Sequence, residues 1–190
     1  MRKSKVEAAE TRRRIIEVAA REFRLKGIHA TGLTDVMAQA GLTQGGFYRH
    51  FESKDQLVAE ACAEATRDVV GALETAASQS DGKEGFKAIV EAYVSAAHRD
   101  TAAGGCPLAA LGSELARADE QTRAAASQTF NELVDVLAKR AGRRQQEAAR
   151  SDAVFALAAM VGAVTLSRII DDPGASLTVL QDVKQHLGAM

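Results

Sequence analysis

Apolar residues recur along this chain at three- and four-residue intervals, with polar residues between them, which is the period of helices buried on one side. Ile15, Ala19 and Phe23 form such a stripe, flanked by Ile16 and Ala20, and predict a helix over about 11–26 that Gly27 ends. A short helix over about 33–40 follows, with Gly32 at its N-cap position, Asp35 in its first turn and Gly41 as its left-handed stop. Leu42 plugs the turn, and Thr43 is placed to cap a third helix running to about Phe51. A capping box, Ser53-Lys54-Asp55-Gln56, opens a fourth over about 53–78. Further periodic stretches predict helices over about 84–102, 107–118, 119–139, 146–170 and 176–187. Polar or glycine-rich breaks separate them, and residues 140–144 form a basic turn. No alternating run bounded by turns stands out as a strand. The expected fold is all-α, with about nine helices.

Composition agrees with that class. Prolines number only two in 190 residues, so few positions interrupt a helix. Hydrophobic residues make up 46% and the formal net charge is −1, which excludes a wholly disordered chain. Every unbroken apolar run ends within a few residues, so no segment is expected to span a membrane, which takes about 20 residues. The basic start lacks an apolar core behind it, unlike a secretory signal. Two cysteines, Cys62 and Cys106, fit a reducing cytoplasm, the expected location. The even charge balance hides an asymmetry. Residues 1–55 carry eleven Lys+Arg against seven Asp+Glu, and residues 56–190 carry thirteen against eighteen. A basic first quarter on an acidic body is either a site for a polyanion or a solvated tail.

The second and third helices, joined by a short glycine-containing turn, have the layout of a helix-turn-helix. In an α-helix Phe47 and Phe51 share one face, which points inward. Gln44, Gly45, Tyr48, Arg49 and His50 are then turned to solvent, where they suit groove edges and phosphates. Gly45-Gly46 costs about 1 kcal/mol per residue relative to Ala in a helix interior. Close approach to DNA offsets that cost; alternatively, both glycines lie in a frayed first turn. Lys54 at a first helical position opposes the macrodipole unless an anion docks there.

Residues 33–57, LTDVMAQAGLTQGGFYRHFESKDQL, resemble the DNA-binding signature of the TetR family of bacterial regulators. Gly46-Phe47-Tyr48-Arg49-His50-Phe51, followed by Ser53-Lys54 and Leu57, carries the likeness, which covers roughly residues 11–60. Met37 departs from the small Ala usual between the two helices, and Gly32 from the usual Thr or Ser cap. The resemblance implies a helix-turn-helix DNA-binding domain over residues 1–55 and a helical effector-binding and dimerisation domain over 56–190. It implies a double-stranded DNA operator contacted by Thr34, Thr43, Gln44, Gly45, Gly46, Tyr48, Arg49, His50 and Lys54. Tyr48, His50 and Lys54 match positions that touch phosphate, and Arg49 either reads guanine or clamps phosphate.

The same resemblance implies a repressor released by a small-molecule effector, and a homodimer. Expected seam residues are Leu157, Met160, Val161, Val164, Leu177, Leu180, Val183 and Leu187; burial within one monomer is the other reading of these helices. Candidate effector contacts are Cys62, Phe86, Tyr93, His98, Cys106, Phe130, Phe155 and Met160, with plain core as the default reading of each. Cys106 precedes Pro107 at a helix start, so it is either a reactive thiol or a buried one. No cofactor, metal or membrane partner is expected. Two other classes stay open: a helical protein-interaction module without a DNA role, and a small helical enzyme using His98 and Cys106.

Overall fold

Capping side chains and glycines set most of the helix boundaries. The computed structural model describes residues 5–140 and 146–190, so positions 141–144 of the expected basic turn lie outside the described residues. Nine α-helices occur among the described residues, with no strand. They are α1 (Lys5–Lys26), α2 (Leu33–Gln39), α3 (Lys54–Ala76), α4 (Gly82–Tyr93), α5 (Ala96–Asp100), α6 (Pro107–Leu115), α7 (Glu120–Ala138), α8 (Gln146–Ile169) and α9 (Pro173–Gly188). Gly41, with φ +71°, ends α2, and the Leu42 amide bonds back to the Met37 carbonyl at 2.8 Å, closing a Schellman motif. Ser53 caps α3, accepting the Gln56 amide, while Gln56 Oε1 accepts the Glu52 amide at 2.7 Å. Asp119 caps α7 and Asp172 caps α9, where Pro173 takes the first helical position.

Several boundaries differ from the sequence expectation, among them the start of α1, which lies at Lys5 and not at about residue 11. The segment Gln44–Arg49 is a 3-10 helix, not an α-helix, and Thr43 makes no side-chain cap bond. Two glycines weaken α propensity there, and the bonds from Gly46 to Thr43 and from His50 to Phe47 span three residues. The fifth expected helix is split into α4 and α5. Ser95 interrupts it by accepting the His98 amide, and His98 Nδ1 bonds to the Tyr93 carbonyl at 2.7 Å. Finally, α9 starts three residues earlier than its apolar stripe, because Asp172-Pro173 is itself the helix start.

Two apolar cores result. The first joins α1, α2, the 3-10 segment and the first half of α3, with Ile15, Phe23, Met37, Phe47, Phe51 and Leu57 fully packed. Cys62 and Ala65 belong to it, so it reaches ten residues past position 55, and α6 contributes Leu111 and Leu115. The second joins the rest of α3 with α4, α7, α8, α9 and, through Ala109, α6, around Ile89, Tyr93, Leu133, Leu157 and Met160. Both α3 and α6 therefore serve both cores.

Helix α8 corrects two expectations. Its length and mean hydropathy of 1.6 would suffice to cross a membrane, because Ala and Gly lengthen an apolar stretch that no unbroken run of large residues reveals. It packs against α6, α7 and α9, which accounts for its apolar character within a helical domain. Its face assignment also changes. Leu157, Met160 and Val164 are buried in the monomer, as are Leu180 and Leu187 of α9, so they face the chain's own core and not outward. Val161 and Val183 are half-buried and only Leu177 of the expected set is exposed. The outward apolar row is Phe155, Leu166 and Ile169, at 62%, 53% and 68% exposure. A helix apolar on several sides gives no periodic signal for which side faces its own domain.

Glycine chemistry yields a signed pair of outcomes. Gly27 has φ +89°, and a Cβ there would lie 2.6 Å from Glu114 Oε1. Gly27→Ala is expected to destabilise by about 1–2 kcal/mol or more, since a left-handed residue with a side chain costs that much. Gly112, inside α6, meets nothing within 4 Å, so Gly112→Ala is expected to stabilise by roughly 0.5–1 kcal/mol. Thermal melts followed by circular dichroism should move in opposite directions; equal shifts would contradict the stated backbone geometry.

Candidate nucleic-acid interface

The 3-10 segment has little shape of its own and is held from beneath. Phe47 and Phe51 are buried with ring centroids 5.4 Å apart, stacked, and Tyr48 sits edge-on to Phe47 at 5.1 Å. From α1, Arg12 lies over the Phe51 ring at 4.6 Å and donates through Nε to the His50 carbonyl at 3.2 Å. Its other nitrogens reach both Glu60 carboxylate oxygens at 2.5 Å. One guanidinium thus ties α1, the end of the segment and α3 together, using the planar fork that only arginine offers.

What remains on the outside is polar. Thr34, Thr43, Gln44, Gly45, Tyr48 and Arg49 are all exposed, Tyr48 at 73%. His50 and Gly46 are half-buried. Thr34 Oγ1 donates to Gln44 Oε1 at 3.0 Å, which leaves the Gln44 amide NH2 as the outward group. A donor of this kind suits N7 or O6 acceptors on a purine edge. A Cβ on Gly45 meets nothing within 4 Å, and one on Gly46 touches the Met37 terminal methyl at 3.7 Å, an ordinary contact. Neither glycine is demanded by internal packing. Their lack of side chains keeps this surface low between Gln44 and Tyr48.

Lys54 is placed differently from the expectation. Its Nζ donates to the Ile28 and Thr31 carbonyl oxygens, both at 2.7 Å, and lies 6.0 Å from the Phe23 ring centre. The penalty of a cation at the α3 N-terminus is therefore offset by two backbone carbonyls from the α1–α2 turn, and no docked anion is required. Arg12 is a residue that local sequence does not single out: its partners lie 38 and 48 positions away.

The expected effector contacts do not all converge. Cys62 sits in the first core, Met160 in the second, Phe86 beside a small cleft at the far end of the domain, and Phe130 and Phe155 on the surface. Phe86, Tyr93, Cys106 and Met160 share the second core, and there Tyr93 and Cys106 lie directly against His98. The Tyr93 and His98 rings meet edge-on at 4.5 Å, and the Cys106 amide donates to His98 Nε2 at 2.9 Å. A cleft of about 270 Å³ opens beside Tyr93 and His98, bounded also by Val69, Leu73, Thr101 and Gly104. With Nε2 accepting from a backbone amide and Nδ1 on the Tyr93 carbonyl, His98 is not poised as a base for the thiol. Burial pushes the Cys106 thiol up and the His98 pKa down. Burial likewise pushes Cys62 up to about 12. Arg24 and Arg168 act on these thiols, but burial outweighs them, and neither cysteine is accessible as a reactive thiolate is.

Comparison with known proteins bears on both halves. A family model described as bacterial regulatory proteins, tetR family, matches residues 15–61. A second, described as the transcriptional regulator LmrA/YxaF-like C-terminal domain, matches residues 82–186. An uncharacterised HTH-type transcriptional regulator of Mycobacterium tuberculosis is 31% identical over 186 residues, covering 93% of this chain and 91% of that one. The chain belongs to the TetR family.

Within it, the DNA-binding half has the higher identities. The HTH-type transcriptional regulator TtgR of Pseudomonas putida is 47% identical over 58 residues, which span 30% of this chain and only 28% of TtgR. A TetR transcriptional regulator from Chloroflexus aurantiacus superposes with a TM-score of 0.79 at 27% identity, over 96% of this chain and 94% of that one. This TetR-family protein is a helix-turn-helix transcriptional regulator. A helical interaction module without a DNA role is not favoured by these relationships.

Two measurements follow from the geometry. Arg49→Ala is expected to lower the slope of log affinity against log salt by about 0.9 if it clamps one phosphate. Lys54→Ala is expected to weaken duplex binding with that slope unchanged, because its charge is spent on the turn. A reduced slope in the Lys54 variant would place its ammonium on the phosphate backbone instead. Native protein is also expected to react slowly with a thiol-selective disulfide reagent, both cysteines becoming titratable only on unfolding. Rapid modification of one thiol in the folded protein would contradict the buried assignment.

Proposed function

We propose that this regulator is a homodimeric repressor that binds a near-palindromic operator in the cytoplasm and is released by a small, mostly apolar effector. The exposed polar strip Thr34, Thr43, Gln44, Tyr48 and Arg49, held on a rigid base, carries the DNA-binding part of this reading. Tyr48, His50 and Arg49 are assigned to phosphate, and Gln44 to a base edge. Gly45 and Gly46 let the backbone approach the duplex. The N-terminal core is the reading unit, and the helices beyond it carry the effector and the dimer seam.

The seam is assigned to the outward row Phe155, Leu166 and Ile169 of α8 together with Leu177 of α9. Four large exposed apolar side chains on two adjacent helices form the kind of patch that a soluble monomer rarely leaves uncovered. Ala158 and Gly162 lie between them and admit close helix approach. An isologous contact of this face places two reading units about 34 Å apart, one duplex turn. The effector is assigned to the cleft beside Tyr93 and His98. Its walls are largely apolar, and its Thr101–Gly104 edge leads directly into α6.

Selection of bound duplexes from a random pool tests the central reading. An enriched sequence with two-fold symmetry and half-sites about 10 base pairs apart is the expected result. A pool with no enrichment would remove operator recognition. For the seam, Leu166→Glu is expected to yield a folded monomer in sedimentation experiments. Its operator affinity should fall about 10²-fold or more, as the second half-site no longer binds intramolecularly. A variant that stays dimeric would locate the seam elsewhere.

A further inference from the structure

Where the reading unit meets the effector-binding half, one turn, residues 27–31, is gripped from both sides. From α6, Glu114 Oε1 accepts the Ile28 amide at 3.1 Å. Glu114 Oε2 accepts the His29 amide at 2.9 Å and the His29 ring Nδ1 at 2.6 Å. Burial opposes ionisation of this carboxyl, but the His29 and Ile28 donors outweigh it and hold its pKa below the usual range. From α3, Lys54 Nζ takes the Ile28 and Thr31 carbonyls. Thr31 Oγ1 closes the turn on the Gly27 carbonyl at 2.7 Å.

The decisive detail is which peptide group carries these bonds. The amide of His29 and the carbonyl of Ile28 belong to one peptide unit. That unit donates to a carboxylate of α6 and accepts from an ammonium of α3, so a negative and a positive charge polarise it in the same sense. Bonds in such a chain strengthen each other. Resting on the reading of this chain as an operator-binding regulator, we propose that Glu114 is a positioning residue for DNA binding. Through the 28–29 peptide it fixes Lys54 and the start of α3, and so the attitude of the segment Gln44–Arg49.

Two further observations make Glu114 the adjustable member of the link. The α6 helix is fastened to α1 at its other end as well, where Arg24 Nη1 donates to the Gly105 carbonyl at 3.0 Å. That guanidinium side chain is 5% exposed, and its ion-pair partner among the described residues, Asp68, is 4.0 Å away. Breaking that contact strands a charge in the interior, which is unfavourable. The Glu114 side chain is 21% exposed, so water can replace its partners. A shift of α6 therefore releases the turn at Glu114 and keeps the bracket at Arg24.

The test uses the full-length protein and its selected operator duplex, with affinity read by fluorescence anisotropy at fixed salt. Glu114→Ala is expected to weaken binding about tenfold, the size of one charge-assisted bond network. Helix content, dimer mass and salt slope should be unchanged. His29→Ala, which keeps both backbone donors, is expected to stay within about twofold of wild type. The Glu114→Ala/Lys54→Ala double variant is expected to bind within about twofold of the weaker single variant, because both act through one peptide. Hydrogen exchange of the Ile28 and His29 amides should be slow in the wild type and fast in Glu114→Gln. This readout holds even where the alanine variant fails to fold. Wild-type affinity in Glu114→Ala, fully additive losses in the double variant, or fast exchange of both amides in the wild type would each overturn the assignment. A wild-type protein that selects no operator would instead defeat the reading on which it rests.

Discussion

The structure depends on two buried phenylalanines. A six-residue 3-10 segment containing two adjacent glycines cannot hold a shape by its own hydrogen bonds, since short 3-10 runs have poor bond geometry and glycine adds backbone entropy. Phe47 at 0% and Phe51 at 2% exposure supply what the backbone lacks. Their stacked rings anchor the middle of the segment and the chain just past its end in the first core, and Arg12 closes over the Phe51 ring. Truncating either ring would cost about 3–5 kcal/mol, a large part of a domain's total stability. The outward polar strip exists because the inward aromatic pair fixes which side is out.

The same core explains why the reading unit cannot be cut away at residue 55. Leu57, Val58, Ala61, Cys62 and Ala65 of α3 complete it, and Leu111 and Leu115 of α6 seal it. A three-helix unit this small buries too little alone. Its remaining apolar surface is covered by helices that begin or end in the other core. Communication between the halves follows from this shared ownership of α3 and α6 and needs no special pathway. Any ligand that moves α6 must repack a side of the reading unit.

Much of this was legible in the sequence where the determinant is local. Gly27, Gly41, the Ser53 box, the Asp119 cap, Pro107 and the Phe47–Phe51 spacing each act within a few residues, and each lies at the boundary or face it predicts. What escaped is non-local or degenerate. Arg12 and Glu114 find their partners tens of residues away, and nothing in their own neighbourhoods marks them. Lys54 was visible as an anomaly, a cation at a helix start, but a carbonyl and a phosphate relieve that anomaly equally well. The α8 register failed for a different reason: Ala, Val, Leu and Met on several sides leave the periodic signal flat, so Leu157 and Phe155 look equivalent until the fold separates them. The split of the fifth helix turned on one serine hydroxyl competing with the helix for the His98 amide, a choice that propensity leaves undecided.

An effector can release an operator only by binding one arrangement of the dimer better than another. Moving such an equilibrium from 1:99 to 99:1 takes about 10⁴-fold differential affinity, or about 5.5 kcal/mol. A cleft of about 270 Å³ walled by Val69, Leu73 and Tyr93 admits a ligand of modest size, with limited apolar area to offer. On the proposed function, the switch is therefore kept close to balance, so that a small ligand suffices. The joint between its halves has that character. Its apolar part, Leu111 and Leu115, and the buried Arg24–Gly105 bond are insensitive to small rotations, whereas the Glu114 bonds around the 27–31 turn are ones that water can take over one by one. A joint built only of packed side chains would demand more of the ligand than the cleft can supply. One built only of exposed ion pairs would hold the reading unit too loosely to bind DNA in register.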